Sequence, residues 1–327
     1  MFLFEDINVE SASAVKAEES PAQVSTEEAV PANSTEKALV THTKLLDVGA
    51  FNGVAKRKWN PKMKPYIIPR NMAQFNAQFD LINSDILNQR LHEAFNYLTE
   101  AAKAKKNILF VGTKSKAVQE LIQSIAQRTN TYFINQRWLG GTLTNFKTIS
   151  NSIKQLKKLI DTRDNDLTKY TKKEQIKIMK KLAKLEKFFG GIKDMQGLPH
   201  VLVIDDPVKE KNAVTEARKL RIPVIALCNT NSDPNLINLA IPANNYNIRS
   251  VTLLLNLLGD AIAIANGQPA KFAYKPDEEI DIPQLVKKET RTVVNRDRSG
   301  FKRPKTEEEK AKEAKPATEA KPEEAAK

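Results

Sequence analysis

The chain has 327 residues, 41% of them hydrophobic, a formal net charge of +13 and a single cysteine, Cys228. That length holds one large domain or two ordinary ones with enough apolar material for a core, and one cysteine excludes an internal disulfide and any multi-cysteine zinc site. The charge is uneven: subtracting the −6 of residues 1–40 and the +2 of residues 271–327 from the total leaves +17 on residues 41–270, which marks a polyanion binder more than a surface made soluble by mixed charge.

The opening MFLFEDINVE carries an apolar patch too short for a signal peptide and followed by acids, so the cytoplasm is the expected compartment. The rest of residues 1–43 is rich in Ala, Glu, Ser, Thr and Pro and cannot offset the entropy of ordering, which predicts an acidic, disordered tail. Next comes a strap, AKRKWNPKMKPYIIPRN over 55–71, whose prolines predict an extended path; it holds Lys56, Arg57, Lys58, Lys62, Lys64 and Arg70 around Trp59 and Tyr66. Cations of this kind meet phosphates, while the two aromatic rings either stack on bases or anchor the strap to the core.

From LINSDILNQRLHEAF onward, helical and strand patterns alternate. Ser84 or Asp85 stands at the capping position of the first long helix, and the apolar runs NILFVGT, TYFINQ, HVLVIDD and PVIALCNT read as buried strands separated by helices, the last leading by way of DPNLINLAIPAN to a final helix. Continuous apolar strands with intervening helices predict a parallel sheet covered on both faces, an α/β domain over 44–270. One crossover is longer than the others. Residues 146–192 contain Ile149, Ile153, Leu156 and Ile160, then Ile178, Leu182, Leu185 and Phe189, in the same four-three-four spacing with lysines on the flanks. This predicts an inserted antiparallel coiled-coil hairpin, slim and projecting. The run SVTLLLNLLGDAIAIAN, broken by Asn256 and Asp260, falls short of a bilayer span. Residues 271–327 lose the apolar period and predict a charged, mostly disordered tail.

Parallel sheets often bind nucleotides at their carboxyl edge, yet VGTKSK carries one glycine where a dinucleotide motif needs three, without phosphate-loop spacing. Lys114 and Lys116 either meet a phosphate beside a helix N-terminus or are plain solvated charge. Asp205 and Asp206, before Pro207, read as turn and capping residues, with a magnesium or ribose contact as the alternative. The three histidines are far apart in sequence, and neither a catalytic triad nor a metal pattern emerges, so no enzyme activity, cofactor or metal is expected. Gly140-Gly141, between Arg137-Trp138 and Thr144 with Lys147, reads as a hinge that also permits close contact, either with RNA or within the molecule.

The motifs RKWNPKMKPYI, NILFVGTK, NQRWLGGTLTNFKTI, GLPHVLVIDDPVKEKNAVTEARKLRIPVIALCNTNSDPNLI and IRSVTLLLNLLGDAIA together resemble the bacterial-type family of small-subunit ribosomal protein S-two, over about residues 44–266. The resemblance implies a flavodoxin-like α/β domain with the inserted hairpin, binding small-subunit ribosomal RNA among neighbouring ribosomal proteins. It further implies a part in docking the OB-repeat protein that recruits messenger RNA. Lys56, Arg57, Lys58, Trp59, Lys62, Lys64, Arg70, Lys114, Lys116, Arg137 and Lys147 are then the candidate RNA-binding residues. Phe51 and Val54 replace two histidines usual in the family, and Asn229 a usual aspartate, so a metal held through those histidines is not expected here. Phe51 becomes a candidate anchor for the OB-repeat partner.

Overall fold

The structure, a computed structural model, describes residues 39–69, 79–166, 169–280 and 282. Helix α1 (His42–Asp47) leads into a small antiparallel ribbon of β1 (Asn52–Ala55) and β2 (Phe79–Leu81), with Ala55 opposite Phe79. Helix α2 (Ser84–Lys103) follows. Its N-cap is Asn83, one residue before the positions the pattern pointed to, and the Asn83 Oδ1 accepts from the Asp85 N–H at 2.9 Å; an asparagine side chain satisfies a first-turn donor as well as serine does.

The main sheet contains β3 (Ile108–Val111), β4 (Tyr132–Ile134), β5 (Val201–Ile204), β6 (Val224–Cys228) and β7 (Leu239–Pro242), all parallel, in the order β4-β3-β5-β6-β7. Numbered within the sheet this is 2-1-3-4-5, the flavodoxin-like order, with its switch point between β3 and β5. Helix α3 (Lys116–Thr129) joins β3 to β4, α6 (Lys211–Lys219) joins β5 to β6, and α7 (Ile248–Ala265) follows β7. Leu109, Val111, Leu202, Ile204, Val224 and Ala226 share one buried cluster with Ala213, Val214 and Ala217 of α6. Their alternates Ile108, Phe110, Val203, Ile225 and Leu227 are equally buried and face the other side, where α7 packs against α2 and α3. Both faces are covered, which is why the strands read as unbroken apolar runs.

Helix α7 is long and apolar enough to cross a membrane by length and composition alone, but most of it is buried within the fold. The polar residues that interrupt it have local work. Asp260, with no exposed surface, accepts from Arg128 Nη1 at 2.5 Å and from the backbone N–H groups of Phe272 and Ala273 at 2.6 and 2.9 Å. The Asn256 amide donates to the Thr252 carbonyl at 2.7 Å.

Those bonds extend the domain past the boundaries expected from the pattern. Leu39, Val40, Phe272, Ala273 and Ile280 are buried; Tyr274 N donates to the Leu39 carbonyl at 3.1 Å, and the hydroxyls of Thr41 and Thr43 donate to Asp277 Oδ2. The packed region thus takes in 39–43 and 271–280, which the 44–270 reading left out because these short segments have no apolar period and are fixed by hydrogen bonds. Apart from Ile282, the remaining parts of the two expected tails lie outside the described residues.

Between β4 and β5, helix α4 (Phe146–Asp161) continues through a π-helical turn at Thr162–Asp166, and α5 (Lys172–Phe189) packs back against it. The Thr171 N–H and hydroxyl both donate to Glu174 Oε2, at 3.0 and 2.8 Å, starting α5 with a capping box. The pair is not self-contained. Ile149, Ile153, Leu156 and Phe189 lie in the same buried cluster as Val111, Ile134, Trp138, Ile192 and Met195, so the base of the pair belongs to the core of the sheet, while Tyr170, Ile176 and Met179 toward the tip are exposed.

Trimming the tip, residues 160–178, to a short glycine-serine link is therefore expected to move the melting temperature only a few degrees. Replacing 151–189 removes Ile153, Leu156, Leu182 and Phe189, all buried, at about 2–5 kcal/mol for each large side chain removed, and is expected to unfold the domain. Calorimetry of the two deletions checks this.

Candidate nucleic-acid interface

The loop after β4 is organised by one carboxylate. Glu216 occupies a core-facing position of α6 between Val214 and Ala217 and is 8% exposed. Its Oε1 accepts from the Trp138 indole at 3.1 Å and the Gly141 N–H at 2.8 Å. Its Oε2 accepts from the N–H groups of Leu143 and Thr144 at 2.9 and 3.2 Å and from the Thr144 hydroxyl at 3.3 Å. Burial by itself pushes the Glu216 pKa up, but the donors from Leu143, Trp138, Gly141 and Thr144 outweigh it and hold the group below its usual value. The loop at the glycine pair makes an intramolecular contact, in which Trp138, 6% exposed, packs into the core at the base of the helical pair. Of the two glycines only Gly141 is conformationally required, at φ +87°, whereas a Cβ on Gly140 would meet nothing within 4 Å.

The strap is compact where extended chain was expected. It forms short 3₁₀ turns at Lys56–Lys58 and Pro61–Tyr66, because the fixed φ of proline suits the first turn of a helix as well as an extended path. Asn60 caps the second turn and its N–H donates to the Thr230 carbonyl at 2.7 Å; Met63 is fully buried and Tyr66 packs on the core. Trp59 is half-buried. Lys56, Arg57, Lys58 and Lys64 are exposed, and among the described residues none of them makes an ion pair. Lys62 does have an internal partner, Asp233 at 2.6 Å. Arg70 lies outside the described residues.

Lys114 is also engaged internally. Its ammonium is 2.9 Å from Asp206 Oδ2, 2.9 Å from the Asn245 carbonyl and 3.7 Å from the centroid of the Tyr246 ring. Lys116 opens α3, Arg137 precedes Trp138 and Lys147 lies in the first turn of α4, all three exposed. The structure therefore divides the candidates. Lys58 and Tyr246 line one crevice, with Lys114 behind the ring, whereas Arg137 and Lys147 flank the loop that Glu216 holds.

Beneath the strap, the carboxyl edge of the sheet gathers acids. Asp206 behaves as a capping residue, Oδ1 accepting from Val208 N at 3.0 Å and Lys209 N at 3.3 Å. Asp205 does not: it is fully buried and, among the described residues, neither carboxylate oxygen has a hydrogen-bond partner. Burial pushes its pKa up to about 7 against the pull of Lys114, with the charges of Asp206 and Glu210 adding to the rise. Glu210, bonded to the Thr113 hydroxyl, is raised chiefly by burial.

The three positions that depart from the resembled family are taken up in packing and hydrogen bonds. Phe51 is buried, its ring centroid 5.1 Å from that of His42 on α1, so it is not an exposed anchor for a partner. Val54 N donates to the Thr230 hydroxyl, and the buried Asn229 amide faces Asn244 and Asn245 at 3.5 and 3.3 Å. Among the described residues no three His, Cys, Asp or Glu side chains are grouped to hold a metal.

Sequence reasoning passed over Glu216, whose signal was a carboxylate within the apolar stripe of α6. It also passed over Phe79 and Tyr246, exposed aromatics with no periodic neighbour to mark them.

Replacing Glu216 by glutamine turns an acceptor into a donor facing buried N–H groups, and is expected to cost about 1–3 kcal/mol, or about 2–4 °C in melting temperature per kcal/mol. Because the folded pKa is depressed, the native advantage exists above about pH 4.5 and shrinks as pH falls through the folded value. Asp205 has the opposite sign. Its folded pKa is raised, so its ionisation weakens the fold progressively as pH rises from about 4 to about 7. Asp205→Asn is expected to leave stability at pH 4 nearly unchanged and to raise the melting temperature at pH 8, as thermal scans at the two pH values would report.

Residues 45–265 match the family described as Ribosomal protein S2. The chain is 88% identical over 312 residues to small ribosomal subunit protein uS2 of Mycoplasmoides gallisepticum, covering 94% of this chain and 97% of that protein. It is 50% identical over 268 residues to the protein of the same name from Mycoplasma pneumoniae, covering 81% and 90%. A third, from Mycoplasma genitalium, is 47% identical over 264 residues, covering 81% and 91%. With the flavodoxin-like sheet, these likenesses show that the chain belongs to the ribosomal protein S2 family, as a structural, non-enzymatic component of the small ribosomal subunit.

Proposed function

We propose that the protein is held in the small subunit by ribosomal RNA, whose phosphates meet the exposed cations of the strap. The observation that carries this reading is that Lys56, Arg57, Lys58 and Lys64 sit on a backbone pinned by Asn60 and Met63, with no ion pair among the described residues. Charges fixed to a rigid turn and left without an internal partner suit a polyanion whose own charges are regularly spaced. The exposed lysines of α5, among them Lys173, Lys177, Lys180 and Lys184, offer a second phosphate-facing surface, with the α4–α5 pair as an inserted helical arm. Arg137, Lys116 and Lys147 are secondary contacts, and Lys62 and Lys114 shape the surface from within. Neighbouring ribosomal proteins, the OB-repeat messenger-binding protein among them, dock through contacts other than the buried Phe51.

Binding to small-subunit ribosomal RNA is expected to weaken steeply as salt rises. Changing Lys56, Arg57, Lys58 and Lys64 together to glutamine is expected to flatten the slope of log affinity against log salt by about 0.7–0.9 for each phosphate no longer neutralised. Cosedimentation with small subunits across a salt series measures it, and an unchanged slope would remove the strap from the interface.

A further inference from the structure

Beside the strap is a crevice of about 590 Å³ between the β1–β2 ribbon and the turn after β7, lined by Asn52, Val54, Lys58, Phe79, Asn244 and Tyr246, among others. Its two aromatic rings are 51% and 56% exposed, Phe79 and Tyr246 respectively. Tyr246 is held in place. Its N–H donates to Asn244 Oδ1 at 3.0 Å, its hydroxyl accepts from the Asn231 amide at 3.4 Å, and the Lys114 ammonium lies 3.7 Å from the ring centroid. With the cation against one face, the other is left for a partner. Phe79 starts β2, opposite Ala55 in the ribbon that runs directly into the Lys56–Lys58 turn, so its position is tied to that of the strap cations.

We propose that this crevice takes an unpaired RNA nucleotide, its base stacked on Tyr246 with Phe79 as a second wall and its phosphate met by Lys58. A flat aromatic face presented rigidly and rimmed by unpaired cations is how proteins hold splayed-out bases: stacking tolerates any base because each has a π-face, and the cation fixes the backbone beside it. An apolar protein segment would fit the rings but not the rim, where Lys58 and the adjoining Lys56 and Arg57 stand exposed without an ion pair among the described residues. The cavity lies in the range of pockets that enclose a small ligand. The proposal rests on the reading that the strap faces ribosomal RNA, and it adds a site for one unpaired base to a surface otherwise read as meeting phosphates.

The test compares the full chain's affinity for a short single-stranded RNA and for a blunt RNA duplex of matched charge, by fluorescence anisotropy at fixed salt. Tyr246→Ala and Phe79→Ala are each expected to weaken single-strand binding about tenfold or more, as loss of one stacked base does, while duplex binding and the salt slope stay as they were. Tyr246→Phe, which keeps the ring, is expected to bind like the native chain, and Tyr246→Leu, which keeps apolar bulk, to bind like the alanine variant. Melting temperatures serve as the control for folding. Equal loss for single strand and duplex, or full binding in Tyr246→Leu, would overturn the stacking site. If those variants bind normally while the strap glutamine variant still weakens both RNAs, the phosphate reading stands and the crevice belongs to something other than a base. If the native chain binds neither RNA in a salt-dependent way, both fail together.

Discussion

The Glu216 carboxylate is the constraint from which the distinctive half of the fold follows. A turn from an edge strand into a long helix leaves several N–H groups without backbone partners, and here they converge on one buried acid together with an indole. In a low-dielectric setting each bond is strong and each unmade one is costly, so the arrangement behaves as a unit. It ties the start of the α4 loop to α6, and it fixes Trp138 in the core cluster that also holds Ile153, Leu156 and Phe189. The helical pair is thus attached through its base, and the free positions lie at its tip.

The same device, an acid drawn inside, recurs across the domain and bears on its partner. Asp80, Asp205, Asp206, Glu210, Glu216 and Asp260 are all buried, while no lysine or arginine among the described residues is. Asp206 and Asp260 are answered by Lys114 and Arg128, Glu216 by backbone and side-chain donors and Glu210 by the Thr113 hydroxyl, whereas Asp205 accepts no hydrogen bond among the described residues. The solvent-facing surface is therefore more positive than the net charge of residues 41–270 indicates. For a protein that sits on a nucleic acid, this leaves cations and few acids at the surface a phosphate would touch.

Much of this was legible in the sequence where one interaction dominates. The sheet strands are covered on both sides, so burial alone dictates their composition, and Ile108–Val111 or Val201–Ile204 could hardly be anything else. Helices α4 and α5 themselves were legible too, and they touch one another, because heptad-like spacing is a local signal. What could not be read is whatever depends on groups far apart in the chain. Lys62 and Lys114 carry the charge of surface residues, yet Asp233 and Asp206 claim them. The segments 39–43 and 271–280 have no pattern of their own and join the domain through Asp260, Asp277 and the Leu39 carbonyl. The crevice residues Phe79 and Tyr246 are separated by most of the fold and only the β1–β2 ribbon brings them together.

The position of α7 in the chain has a bearing on how the molecule comes to be made. Helices α2 and α3 are synthesised early, but the side they turn inward is closed by α7, which follows all five strands of the sheet. Until Ile248–Ala265 has emerged, the parts of α2 and α3 that pack on α7 are left uncovered, and Arg128 waits without Asp260. Translation of this chain therefore holds open a sticky intermediate until its sheet domain is nearly complete, and the interval is one in which aggregation competes with folding.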